Sequence, residues 1–185
     1  MLEKFLQLDK ELLIFLNGLG SETFDGLWLI ITKQAYWTPI FLFVFYLLQK
    51  KVGWKNFGYY ILFTAILILL CDQTANLFKW YFHRLRPCND ETINHIIRVV
   101  KTSPSFSFFS GHATNSMATT VFGFMILKKY YKHAYLLFLF PLIFAYSRIY
   151  LGLHFPGDIL TGYVFGATFG FICYKLYQKY ILRTS

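Results

Sequence analysis

The sequence predicts an all-α, polytopic membrane helical bundle of about five to six helices, with a polar site at one membrane face. Three observations predict it. Of the 185 residues, 56% are hydrophobic and 22% aromatic against 15% charged, a balance outside the range of soluble domains. The hydrophobic residues fall in blocks about as long as the roughly 20 residues a helix needs to cross the hydrocarbon core. The ionisable residues that interrupt these blocks gather near their ends, and charges at membrane depth normally face a protein interior. One integral membrane domain, 1–185, fits this length, and no separate soluble domain does.

The first segment, residues 1–18, carries acids and bases through its apolar part and lacks a small-residue cleavage site, so it does not read as a removable signal peptide. Phe5, Leu8, Leu12 and Phe15 recur at helical spacing, flanked by Leu2 and Leu16, which predicts an interfacial helix. The block Phe24 to Leu48 contains Lys33, Gln34 and Pro39. It reads either as a bent crossing or as an interfacial piece followed by a short one. Four further crossings are expected at about 57–78, 112–127, 133–150 and 157–177. Within the last, Gly162, Gly166 and Gly170 repeat every four residues and predict close helix packing, with Asp158 on the same face.

Three segments, "QKKVGWK" (49–55), "KKYYKH" (128–133) and "YKLYQKYILR" (174–183), are basic, and alternate crossings put them on one side. By the excess of Lys and Arg in short cytoplasmic loops, that side is the cytoplasm. The net charge of +9 forms no basic stripe of the kind nucleic acid requires, so anionic lipid is the expected partner and nucleic acid is not. Cys71, Cys88 and Cys173 have neither disulfide nor metal-ligand spacing.

Three polar clusters fall on the opposite face. Asp72, Asn76, Lys79, His83 and Arg86 would stack along one side of a continuous helix; snorkelling at a charged helix end is the plainer reading. Ser110, Gly111 and His112 open the next crossing. Ser110 alone reads as an N-cap, but a helix start also offers free N–H groups to an anion, and His112 stands there as an acid or base. Ser147 and Arg148 close the following crossing, with His154 and Asp158 after them. A carboxylate beside a histidine fixes its tautomer and leaves the other ring nitrogen free to attack an electrophile from the pocket mouth. Lys79, Arg86 and Arg148 would repel one another without a bridging anion. Phosphate suits them best, while charge alone leaves carboxylate and sulfate open. The long connection 88–109 contains "ETINHIIRVV" (91–100), which predicts a short amphipathic helix serving as a lid or headgroup selector.

These residues resemble the three-part signature of the type 2 phosphatidic acid phosphatase superfamily, which includes the vanadium haloperoxidases. Lys79 with "RP" at Arg86 and Pro87 matches the first part. "FSGH" matches the second at Ser110, Gly111 and His112, with Phe109 where proline is usual, and Ser147, Arg148, His154 and Asp158 match the third. The signature region is 79–158. The resemblance implies a six-helix core and a phosphatase that needs no metal and no cofactor. His154 would be the nucleophile forming a phosphohistidine, Asp158 would orient it, and His112 would be the general acid and then base. Lys79, Arg86, Ser110, Gly111 and Arg148 would bind the phosphate. The implied substrate is a lipid phosphate or pyrophosphate on the outer side of the cytoplasmic membrane, with undecaprenyl pyrophosphate the first choice and phosphatidic acid, phosphatidylglycerol phosphate or lipid A phosphates alternatives. A haloperoxidase is disfavoured because those relatives are soluble and larger. A non-enzymatic lipid-phosphate binder or transporter would be favoured if either histidine were missing.

Overall fold

The computed structural model describes residues 2–182; Met1, the side chain of Leu2, and Arg183 of the basic tail lie outside what is described. Six helices follow one another: α1 (Leu2–Gly18), α2 (Asp25–Ile31), α3 (Thr38–Phe82), α4 (Gly111–Leu127), α5 (Leu139–Tyr150) and α6 (Pro156–Tyr177), with no strand among the described residues. The difficult block 24–48 resolves into the short α2, a tight turn over Gln34–Trp37, and then a separate helix whose first turn holds Pro39. There the proline opens the helix instead of bending it, because its missing N–H has no partner to lose at that position.

α3 is two arms. Gly53, at φ 77°, interrupts the helix, and Phe45 packs on both Phe57 and Tyr60, so the arms 38–52 and 54–82 fold back on each other. Only glycine takes that left-handed φ without penalty. With the arms separated, five segments of the bundle correspond to the five expected crossings. The stretches Gln34–Asn89 and Pro156–Leu182 are apolar and long enough to span a bilayer, and Ala134–Tyr150 is a shorter apolar helix.

The three basic segments meet at one end. Lys51 lies over the rings of Tyr130 and Tyr131, Lys129 over Tyr174, and the Tyr177 hydroxyl donates to the Asn56 carbonyl. α4 runs from the other end, where its first residues Gly111 and His112 belong to the polar cluster, down to this basic end. The core between is aromatic: Tyr60 stacks on Phe122, and Tyr177 meets both edge to face.

α1 reverses the usual amphipathic arrangement. Phe5, Leu8, Leu12 and Phe15 are 59%, 61%, 41% and 63% exposed, while Asp9, Leu13 and Asn17, one turn apart, are buried against the protein. Asn17 donates to the carbonyls of Arg98, Ile149 and Tyr150 and accepts from the Arg98 N–H. Residues 91–100 form turns and no regular helix. The Arg98 N–H and carbonyl, which a helix would use internally, are taken by Asn17, and Lys10 clamps Asp90 and Thr92.

α4 and α6 approach closely through the glycine stripe. A Cβ on Gly162 would lie 2.8 Å from the Ser110 carbonyl oxygen, and one on Gly166 or Gly170 would overlap the carbonyl oxygen of Thr114 or Ala118. Such contacts involve backbone, which cannot swing aside. Gly166→Ala is therefore expected to cost about 1–3 kcal/mol, read as a lower thermal midpoint in detergent. Gly58→Ala, in a helix with open space around it, should be neutral or gain up to about 1 kcal/mol. Equal effects of the two changes would show that close approach does not set the α4–α6 distance.

Candidate active site

The arm 54–82 ends because His83 adopts a left-handed conformation, φ 47°. The expected continuous face therefore stops short: Asn76 and His83 are exposed, with His83 set edge-on against Phe106, and Arg86 reaches the cluster from a loop. Lys79 remains on the helix. A Cβ on Gly111 would lie 3.9 Å from the Lys79 ammonium and 3.8 Å from an Asp72 oxygen, so lysine, Asp72 and the start of α4 share one space. Asp72 accepts a hydrogen bond from the Asn115 amide.

Ser110 is the N-cap of α4. Its hydroxyl accepts from the Ala113 N–H at 3.4 Å, and its own N–H donates to the Asp158 carbonyl at 3.1 Å. The two readings of Ser110, cap and phosphate donor, are thus compatible, since the oxygen accepts and leaves its proton free. Phe109, where the family pattern has proline, is fully buried and stacks on Phe165 at 4.8 Å. His112 stacks on Phe144, and Arg148, His154, Lys79 and Arg86 all act on its ring electrostatically.

His154 is not at the pocket mouth. It is 1% exposed, in a connection, 151–155, that is buried throughout. Its Nδ1 faces Asp158 Oδ2 at 3.3 Å and its Nε2 faces Arg86 Nη1 at 3.0 Å. A guanidinium only donates, so Nε2 holds the lone pair and Nδ1 carries the proton. Burial, opposed in part by Asp158, pushes the His154 pKa down from 6.5 to about 4, which keeps the ring neutral.

Asp158 is completely buried in the first turn of α6. It accepts hydrogen bonds from the Ser107 hydroxyl, the Phe155 N–H at 3.0 Å and Arg84 at 2.8 Å, as well as from His154. Arg86 is held by Ser105 and the Leu153 carbonyl. Arg148 donates to the Thr32 hydroxyl at 2.6 Å, and its buried Nε–H has no partner. The structure thus brings together the eight residues to which the resemblance gives a role, and leaves Asn76 and His83 outside. It adds Arg84, Asp9, Ser107, Ser105 and Thr32, which sequence reasoning missed. Only Asp9 left a signal, as an acid in register with Leu13 and Asn17 on a helix whose apolar stripe lies elsewhere.

A cavity of 310 Å³ lies beside the cluster, lined by Asp72, Asn115 and Gln34, and by Val44, Ile68, Thr119 and Leu137 among others. It lies between the two arms of α3, with α4 and the start of α5 closing it. Cys71, Cys88 and Cys173 are free and buried.

The chain is similar to known proteins. The family model of the PAP2 superfamily matches residues 56–182. A lipid A 4'-phosphatase from Bacteroides thetaiotaomicron is 32% identical, over 99% of this chain and 83% of the relative. A second lipid A 4'-phosphatase, from Porphyromonas gingivalis, is 28% identical over 95% of this chain and 75% of the relative. Among solved structures, the transmembrane PAP2 type phosphatidylglycerolphosphate phosphatase from Bacillus subtilis superposes with a TM-score of 0.73 at 19% identity, covering 96% of this chain and 88% of that one. The matched region contains the whole three-part signature from Lys79 to Asp158, and the chain belongs to the PAP2 superfamily.

Proposed function

We propose that this protein hydrolyses a lipid phosphate by metal-independent phosphoryl transfer through His154, and that its substrate is a lipid A phosphate. The observation that carries the chemistry is the wiring of His154: Nδ1–H toward Asp158, lone pair on Nε2, ring neutral. In the first step Nε2 attacks phosphorus, the bond to the leaving oxygen breaks, and His112 donates a proton to that oxygen. In the second, His112 takes a proton from water, the water oxygen attacks phosphorus, and the P–N bond breaks. Lys79, Arg86, Arg148, the Ser110 hydroxyl and the Gly111 N–H stabilise charge on the equatorial oxygens. The buried Nε–H of Arg148, which no protein group accepts, supports an anion-binding role for this arginine.

The substrate choice moves from undecaprenyl pyrophosphate to lipid A because the two relatives named above are lipid A 4'-phosphatases. The cavity beside Asp72 supports a lipid: its walls are mainly apolar, and Asp72, which lines it, shares space with Gly111 and Lys79. The basic segments at the opposite end support a site facing away from the cytoplasm, in the cytoplasmic membrane. The exposed apolar stripe of α1 supports the interfacial helix, lying at that outer surface.

The test is phosphate release by the purified protein with chelator present, across lipid A, undecaprenyl pyrophosphate, phosphatidic acid and phosphatidylglycerol phosphate. His154→Gln, which preserves most of the buried volume, should lower kcat by on the order of 10⁴-fold or more. His112→Asn should cost about 10²–10⁴-fold on lipid and less on p-nitrophenyl phosphate, whose leaving group needs no proton. Turnover by His154→Gln at a tenth of the wild-type rate would remove the nucleophile assignment.

Thr119→Phe, projecting into the cavity, is expected to depress kcat/KM for lipid substrate about tenfold or more while leaving p-nitrophenyl phosphate hydrolysis within about twofold, given that filling a preformed apolar site costs a ligand roughly 1–3 kcal/mol. Parallel losses on both substrates would separate the cavity from lipid binding.

Folding depresses the His154 pKa, so between about pH 6.5 and 4 the unfolded chain binds a proton that the folded chain refuses. Above 6.5 the ring is neutral in both states and costs nothing; as pH falls through that window, stability is lost. In ring-labelled protein, the histidine signal missing from His154→Gln should titrate near pH 4, and the variant should lose less thermal stability than wild type between pH 6.5 and 4. A midpoint near 6.5 would contradict the buried neutral ring.

A further inference from the structure

We propose that Arg84 and Asp9 are positioning residues for catalysis, so that the amino-terminal helix is a working part of the active site; this rests on the reading of His154 as nucleophile. Neither residue belongs to the signature, and Asp9 lies outside the family-matched residues 56–182.

The left-handed turn at His83 throws Arg84 off the helix toward α6. Its guanidinium bridges two carboxylates, donating from Nη1 to Asp158 Oδ1 at 2.8 Å and from Nη2 to Asp9 Oδ2 at 2.7 Å. Its flat face lies 3.8 Å from the centre of the Phe155 ring. The other Asp9 oxygen accepts the Gly157 N–H at 2.7 Å, and a Cβ on Gly157 would stand 2.8 Å from Asp9, so α1 sits directly on the backbone that carries Asp158. Asp9 is 5% exposed and Asp158 not at all.

Arg84 therefore does something different from Lys79, Arg86 and Arg148. Its Nη1 and Nη2 each donate to a carboxylate, so its charge is paired with Asp158 and Asp9. Ser107 and the Phe155 N–H hold Oδ2, and Arg84 holds Oδ1, so that together they set the rotation of the Asp158 carboxyl group and present Oδ2 to His154 Nδ1. Without Arg84 the carboxyl group is held from the Oδ2 side alone, and the anchor of the tautomer that keeps the lone pair on Nε2 is loosened. Asp9 supplies the countercharge that holds the guanidinium in line.

The test uses the full chain in detergent with p-nitrophenyl phosphate. Arg84→Met keeps the length and the contact with Phe155 but removes the fork, and kcat should fall about 10- to 100-fold with KM within about twofold. Arg84→Lys, which keeps the charge and one carboxylate contact, should recover part of the loss. Asp9→Asn still accepts the Gly157 N–H but loses the charge pairing; it should lower kcat several-fold alone and add nothing in the Arg84→Met background. A raised KM with kcat intact would put Arg84 on the phosphate and overturn the proposal, as would wild-type kinetics or additive losses. A second readout does not depend on turnover: with Arg84 gone, the Asp158 charge acts on His154 uncompensated, so the His154 titration midpoint moves up in Arg84→Met. An unmoved midpoint overturns the positioning role, whereas an inactive wild-type enzyme would count against the phosphatase reading instead.

Discussion

The structure depends on keeping one carboxylate, Asp158, charged while it is fully buried. An ion taken out of water loses several kcal/mol of hydration even after the surroundings relax, and only close partners offset this. Asp158 has four: Ser107, the Phe155 N–H, Arg84 and His154. They come from three places in the chain, and satisfying them together fixes the segment that follows the arm 54–82, the connection to α4, and the 151–155 loop. The surrounding cations serve the same balance. Lys79, Arg86 and Arg148 repel one another, and the Asp158 charge acts attractively on both Lys79 and Arg86.

That constraint reaches into the packing of the bundle. Asp158 opens α6, and its carbonyl accepts the Ser110 N–H that opens α4. The two helix starts can share a hydrogen bond only if the helices run very close, which the stripe Gly162, Gly166 and Gly170 allows by laying α6 on the carbonyls of Ser110, Thr114 and Ala118. The glycine spacing thus belongs to the chemistry as much as to the fold, since it sets the distance between the Ser110–His112 edge of the pocket and the His154–Asp158 edge. Phe109 fits the same scheme. Its ring fills the space beside Phe165 and Phe78, holding the approach to Ser110 by stacking where the family pattern uses a rigid proline.

Much of this was legible in the sequence because it is carried by local spacing. The separations among Ser147, Arg148, His154 and Asp158, the four-residue glycine repeat and the three basic segments each fall within a short window. What escaped is non-local or depends on a single backbone angle. Arg84 reaches Asp158 across 74 residues and Asp9 across 75, and Asp9 reaches Gly157 across 148. The turn at His83 has no Gly or Pro to announce it, so the helical face from Asp72 to Arg86 looked continuous. Residues 91–100 have helical spacing, yet Asn17 and Lys10 of α1 claim the groups a helix would need. For α1 itself, the apolar stripe was visible, and the opposite stripe of Asp9, Leu13 and Asn17 carried the more specific information.

On the proposed reading of His154 as nucleophile, Arg86 links phosphate binding to nucleophile activation. Arg86 Nη1 donates to His154 Nε2, the atom whose lone pair must reach phosphorus. While that hydrogen bond stands, the histidine is restrained but blocked. A phosphoryl group offers the guanidinium stronger, charge-assisted acceptors than a neutral ring nitrogen does. Drawing Arg86 onto a phosphate oxygen would free Nε2 with the electrophile beside it, while the Asp158 contact would keep the ring from turning away. In that scheme one arginine would bind the anion and cap the nucleophile in turn, and its other contacts, to Ser105 and the Leu153 carbonyl, would keep its movement short.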